Sequence, residues 1–443
     1  MQKTRSVKSW AVTATLAGAV GLLAACGGGG GGGSAGFFPL PNAGGGQSQP
    51  PGPVGGDPGN PGPGGTPAPG GNPNASFSIG GKVSGLLGPV TLLLNGTNIL
   101  KVDTDGDFKF PTALANGTAY AVTVSAAPLW QQCAVAEGSG TALTDINTVA
   151  VTCGAPTAAV SKLAGADDQS AGAADGKGSS ASFAAPMGLT FDAGGNLLIS
   201  DSGNAAIRSL ALDGTVTTRP LNGEAMAGQG HLVFNNFGEM FVAGHAGQRV
   251  YKIFPDGRTL GLGPFVNATG VAMNAAGDLF VADFTASKIT KHGSTGGVKT
   301  LALDASIGAP FGVAVDGNGT LFVTDQATHR VLKIENESHV TVLAGSTRGN
   351  VDGEGSAAKF NFPQGIAVGP GRMVYVTDTN TVRAIFPTGI VATLAGKGET
   401  AGAADGVGAA ARFADPSAVA VGPNGDLYVT DSLNNSVRKL SKP

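Results

Sequence analysis

Gly425-Asp426-Leu427-Tyr428-Val429-Thr430-Asp431 is one copy of a phrase that recurs along the chain. It returns as Gly277-Asp278-Leu279-Phe280-Val281-Ala282-Asp283, Gly319-Thr320-Leu321-Phe322-Val323-Thr324-Asp325 and Arg372-Met373-Val374-Tyr375-Val376-Thr377-Asp378. Gly195-Asn196-Leu197-Leu198-Ile199-Ser200-Asp201 belongs to the set, and Gly238-Glu239-Met240-Phe241-Val242-Ala243-Gly244 is a degraded copy. A short continuous apolar run bounded by turn residues reads as a buried strand. Another apolar strand precedes each copy, as in Gly312-Val313-Ala314-Val315 and Gly365-Ile366-Ala367-Val368. A third follows, as in Arg330-Val331-Leu332-Lys333-Ile334. The period of roughly 40–53 residues predicts one small sheet per repeat, arranged as a propeller.

The Pro-x-Gly-[Ile/Val]-Ala entry, the [Tyr/Phe]-Val-[Ala/Thr]-Asp strand and the Arg-Val-x-Lys strand resemble NHL repeats. The resemblance spans residues 154–443 in six copies and implies an all-β, six-bladed β-propeller of the NHL type. Closure can be read from the residues. Val160-Ser161-Lys162-Leu163-Ala164-Gly165 matches Val391-Ala392-Thr393-Leu394-Ala395-Gly396, an outer strand, and the sixth copy ends at Leu440 without one. The segment before the first copy is therefore expected to supply the sixth blade's outer strand and remove a free edge.

Residues 1–25 read as a signal peptide: Lys3, Arg5 and Lys8 are followed by an uncharged stretch from Trp10 to Leu23. Leu23-Ala24-Ala25-Cys26 resembles the bacterial lipobox, which implies a lipidated Cys26 and anchoring to a membrane. Each buried CH₂ of an acyl chain contributes roughly 0.8 kcal/mol. Gly27 follows in place of an Asp, which in such lipoproteins points to the outer membrane of the cell envelope.

Residues 26–75 are Gly, Pro, Asn, Ser and Gln with few apolar side chains, too little to offset the entropy of ordering. A flexible coil of about 49 residues spans roughly 35–40 Å. This reads as a tether.

From residue 76 to 153 the pattern changes to short alternating strands separated by Asn95-Gly96, Asp105-Gly106 and Asn116-Gly117 turns. A small antiparallel β-sandwich is expected, and the stretch resembles immunoglobulin-like modules of bacterial surface lipoproteins. With Cys26 lipidated, Cys133 and Cys153 are left to pair with each other, and the loop-entropy model gives such a bridge about 3 kcal/mol. Asp103-Thr104-Asp105-Gly106-Asp107 lacks the Gly and Glu positions of an EF-hand and reads as a solvated turn.

The chain carries 74 Gly, 26 Pro, 13% charged residues and a net charge of −3, which lacks the basic footprint nucleic acid requires. Carbohydrate recognition is disfavoured, because of the two Trp one lies in the signal and the other, Trp130, in the sandwich. Asp201, Asp283, Asp325, Asp378 and Asp431 recur one per blade, so the reading is architectural, with Arg208, Arg330 or Arg438 offsetting their charge.

His231 replaces the Gly that opens the innermost strand and is the candidate channel residue. One His cannot build a three-His zinc site, so no metal and no cofactor are expected. Three loops of the form Leu-Ala-Gly … Asp-Gly … Phe-x-x-Pro contain Asp175, Asp352 and Asp405 and gather on one face. That face is the candidate surface for a protein or peptide partner. The reading favoured is a membrane-anchored binding or scaffolding protein without catalysis; the alternative is a channel-centred enzyme of lyase or lactonase type.

Overall fold

In a computed structural model, residues 72 and 74–442 are described, except 224, 225, 227 and 245. The signal peptide, Cys26 and most of the tether lie outside the described residues. Residues 68–443 form one compact unit that contains both the sandwich and the repeats. The architecture is all-β, and the helical pieces among the described residues are 3₁₀ turns of three residues.

The repeats form six four-stranded antiparallel sheets, three of them extended by a two-residue fifth strand. Their inner strands are Pro186–Phe191, Gln229–Phe234, Ala268–Met273, Pro310–Val315, Pro363–Val368 and Pro416–Val421, and they define sheets one to six. Each inner strand neighbours the next, and the sixth returns to the first, so the sheets make a closed, propeller-like ring. The recurring phrases are the second strands, from Leu197–Asp201 to Leu427–Asp431, and all are buried throughout. That explains their unbroken apolar runs, since neighbouring sheets cover both of their faces.

Closure follows the expected scheme. Ala159–Ala164 runs antiparallel to Ser436–Ser441 as the outer strand of sheet six. Gly406–Val407 then pairs with its far edge.

Hydroxyls in the second strands bind the ring together. Ser200 Oγ accepts the Gly188 N–H at 2.8 Å and donates to Gly230 O of the next sheet at 2.7 Å. Thr324 does the same between Gly312, at 2.8 Å, and Gln364 O, at 2.6 Å. Sheet three has Ala282 at this place, and Thr269 supplies the missing bond to Phe311 O at 2.9 Å. Inner strands run so close that a Cβ on Gly188 would sit 2.5 Å from Gly230 O, and one on Gly270 would sit 2.4 Å from Phe311 O. This is the reason for Gly in the Pro-x-Gly entry.

The sandwich has one sheet of Gly106–Lys109, Ile79–Ser84, Ile146–Cys153 and Cys133–Ala136. The other contains Asn98–Val102, Val90–Leu94, Thr118–Ala126 and Ser139–Ala142. Ile79, Val83, Leu92, Phe110, Val122 and Val149 fill the space between them. One pairing departs from the antiparallel expectation: Ile146–Cys153 runs parallel to Ile79–Ser84. Alternation of apolar and polar residues sets which face a strand buries, but it carries no information on direction. Cys133 and Cys153 lie opposite each other on adjacent strands and are joined by a disulfide. The Asp105 carboxylate accepts the N–H groups of Gly85 and Leu86 at 2.9 and 2.8 Å, which makes its loop a structural turn.

Candidate functional site

The recurring strand-end aspartates are committed to the fold. Each accepts backbone N–H groups from the residues that lead into its own inner strand. Asp201, Asp378 and Asp431 take Ala184, Asn361 and Ala414 at 2.7, 2.7 and 2.8 Å. Asp283 takes both Val266 and Asn267, and Asp325 takes both Gly308 and Ala309. In sheets one, five and six the second oxygen meets a buried guanidinium: Arg208 at 2.8 Å, Arg383 at 3.2 Å and Arg438 at 2.9 Å. Arg330 does not join this set. It lies opposite Asp325, whereas Arg208 lies opposite Ile199, two places along the strand; the matching position in sheet four is Leu332. Sheet two replaces the pair altogether, with Gly244 for the Asp and the Tyr251 ring in the freed space.

The loop carboxylates complete this clamp. Asp175, Asp352 and Asp405 bind the other arm of the same three arginines at 2.8, 2.6 and 2.5 Å. Asp175 also accepts from Thr218 N and Oγ1, Asp352 from Thr393 N and Oγ1, and Asp405 from Lys162 N. Phe183, Phe360 and Phe413 are wholly buried, each with its arginine stacked over the ring at 5.3, 4.5 and 5.2 Å. The three long loops are thus pinned to their sheets on one face.

At the axis, His231 is buried, and its Nε2 donates to Ser417 O at 3.0 Å. That bond joins sheet two to sheet six across sheet one. Its ring meets Phe311 of sheet four edge to face at 5.4 Å, and Phe311 meets Phe284 at 6.2 Å. Burial pushes the imidazole down to about 4, against the pull of its bond to Ser417. The ring is neutral near pH 7 and occupies the axis. Between sheets five and six, Gln364 Nε2 donates to Asp415, whose carboxyl is pushed up by burial. No group of three or more His, Cys, Asp or Glu side chains placed to hold a metal occurs among the described residues.

A cleft of about 540 Å³ opens on the loop face of sheet five, lined by Arg348, Gly349, Asn350, Asn361, Thr379, Asn380, Gly398 and Glu399. Its origin is a shortened turn. In sheets one and six, four residues separate the second and third strands, and Asn204 and Asn434 reach back to Gly172 O and Gly402 O in their own loops at 2.7 Å. In sheet five Asp378 pairs directly with Thr381, leaving a two-residue turn. Asn380 reaches forward instead, to Gly398 O of the following loop at 3.0 Å. The space filled in the sister sheets is left open here. The sequence carried a signal for this, the two residues missing between Asp378 and Arg383, but its meaning depends on loops far away in the chain.

A model of the NHL repeat matches residues 413–440. No curated protein matches the sequence. Among solved structures, an auxiliary nutrient binding protein from Bacteroides thetaiotaomicron is similar, with 15% identity and a TM-score of 0.57 over 80% of this chain and 90% of that one. One of the same description from Bacteroides ovatus gives 18% identity and 0.56 over the same shares. A Bacteroides thetaiotaomicron protein of unknown function gives 19% identity and 0.56, again over 80% and 90%. These likenesses are ones of fold.

Proposed function

We propose that the protein is a membrane-anchored binding or scaffolding protein of the bacterial cell envelope that holds a protein or peptide partner on one loop face of its propeller. The scheme is a signal peptide over 1–25, a lipidated Cys26 opening a tether over 26–75, a sandwich over 76–153 and a propeller over 154–443. The observation that carries the reading is the distribution of departures from the repeat. The axial His231 is used to bridge sheets two and six, whereas the loop face has rigidly clamped loops and an open polar cleft. Fixed loops lower the ordering cost of binding. The similar Bacteroides structures described as auxiliary nutrient binding proteins are in keeping with a binding role.

Site-specific photo-crosslinking on intact cells tests this. A crosslinker at Leu433, 68% exposed in the turn between the second and third strands of sheet six, lies on the loop face. One at Phe237, 81% exposed in the turn between the first and second strands of sheet two, lies on the opposite face. Capture of a defined envelope component from Leu433 but not from Phe237 is expected; equal capture, or none from Leu433, rejects the reading. Protease shaving of whole cells reports which side of the outer membrane the propeller faces.

A further inference from the structure

The cleft on sheet five differs from its sister sheets in two residues that touch. The third residue after Leu-Ala-Gly is Asp168 in the first long loop and Glu399 in the third, but Arg348 in the second. The residue after the buried Phe is Ala184 or Ala414 in those sheets, but Asn361 here. Arg348 Nε donates to Asn361 Oδ1 at 2.7 Å, and its guanidinium stacks over Phe362 at 5.1 Å. Asn361 is in turn fixed, since its N–H bonds to Asp378 and its carbonyl accepts from Thr379 Oγ1.

The guanidinium is thereby held at one edge and one face. It has no acidic partner among the described residues, unlike Arg208, Arg383 and Arg438. A pre-oriented planar fork without a counter-ion suits a carboxylate bound through two parallel N–H groups. Asn350 and Asn380 line the same space, and Glu399 lines it with no cation paired to it among the described residues. Gly398 keeps the cleft open next to Asn350, because a Cβ there would lie 2.3 Å from Asn350 Cγ. The volume suits a small molecule or the end of a chain.

We infer that this cleft is a binding site for the free C-terminal carboxylate of a short peptide, held by Arg348, with Glu399 facing its ammonium. The inference rests on the loop face being the binding face. It deepens that reading by giving the ligand a charge at each end.

The test is calorimetric titration of the full-length chain with tri-alanine, its C-terminal amide and its N-acetyl derivative. Loss of a charged hydrogen-bonding partner is expected to weaken tri-alanine binding about tenfold or more in Arg348→Ala, and the amide should show a similar loss on the wild-type chain. Arg348→Lys keeps the charge and the size but not the fork, and should fall between the two. Near-ultraviolet circular dichroism of each variant reports whether the fold is kept. Acetylation should weaken binding in the wild type and have little further effect in Glu399→Gln. Absence of tri-alanine binding at millimolar concentration, or binding indifferent to both Arg348→Ala and amidation, overturns the inference. Capture from Leu433 that persists undiminished in Arg348→Ala overturns it too, while leaving the loop-face reading standing; loss of capture in the wild type removes that reading first.

Discussion

Trp130 Nε1 donates to the Tyr375 hydroxyl at 3.0 Å, although 245 residues separate them. The rings meet edge to face at 6.1 Å, and Trp130 is buried among Tyr375, Leu394, Phe413 and Leu440. Trp130 therefore belongs to the core beneath sheets five and six, and Ala158 N–H bonding to Leu394 O at 2.9 Å reinforces the junction. The sandwich and propeller are held together by a shared core. Trp130→Ala is expected to cost about 3–5 kcal/mol by the large-to-small rule, and Trp130→Phe about 1 kcal/mol from the hydrogen bond alone. Calorimetric melting checks this: the Ala variant should also split one transition into two.

The arginine clamp makes a graded prediction. Arg438 is buried against Asp431, so Arg438→Ala leaves an uncompensated carboxylate and should cost about 3–5 kcal/mol. Asp405, 52% exposed, holds the other arm of the same arginine, and Asp405→Asn should cost about 1 kcal/mol or less. Urea midpoints of the two variants measure the difference; equal costs would show that the strand-end Asp is not the dominant partner.

Ring closure depends on Ala159–Ala164. Deleting Ala158 to Gly165 exposes the Ser436–Ser441 edge and should lower the melting temperature sharply and promote association through the open strand. A truncated protein that melts unchanged and associates no more than the intact chain in light scattering rejects closure by this segment.

His231 adds a dependence on pH. Its folded value of about 4 lies below the ordinary 6.5, so the unfolded chain binds the proton more readily. The contribution is complete above pH 6.5 and is lost as pH falls through 6.5 towards 4, reaching about 3 kcal/mol in all. In His231→Gln this loss is absent. The stability gap between wild type and variant, measured by denaturant titration, should therefore shift in the variant's favour on acidification. A gap that stays constant from pH 7 to pH 4 would falsify the assignment.

The second strands and the closing segment were legible in the sequence because the same burial demand recurs in every sheet and leaves the same apolar run. The strand-end aspartates were legible for the same reason. Their arginines were only partly so: the Arg-Val-x-Lys pattern brings Arg330 opposite its Asp, while the pairing arginines stand two places further along. Arg383 lies five residues after its Asp rather than seven, which takes it out of the repeat's spacing. The sheet-five cleft was opaque because a deletion has no meaning until the loops around it are placed. Trp130 was read as part of the sandwich, since nothing local marks a side chain whose partner is 245 residues away. Cys26 and most of the tether lie outside the described residues.

The closing strand also makes folding a long-range event. Ala159–Ala164 and Ser436–Ser441, neighbours in one sheet, are separated along the chain by the five other sheets. Pairings of such sequence separation cost loop-closure entropy before they are rewarded, which slows folding. Until the two strands meet, each leaves a sheet edge open to pairing with another chain, so ring closure is a step exposed to association.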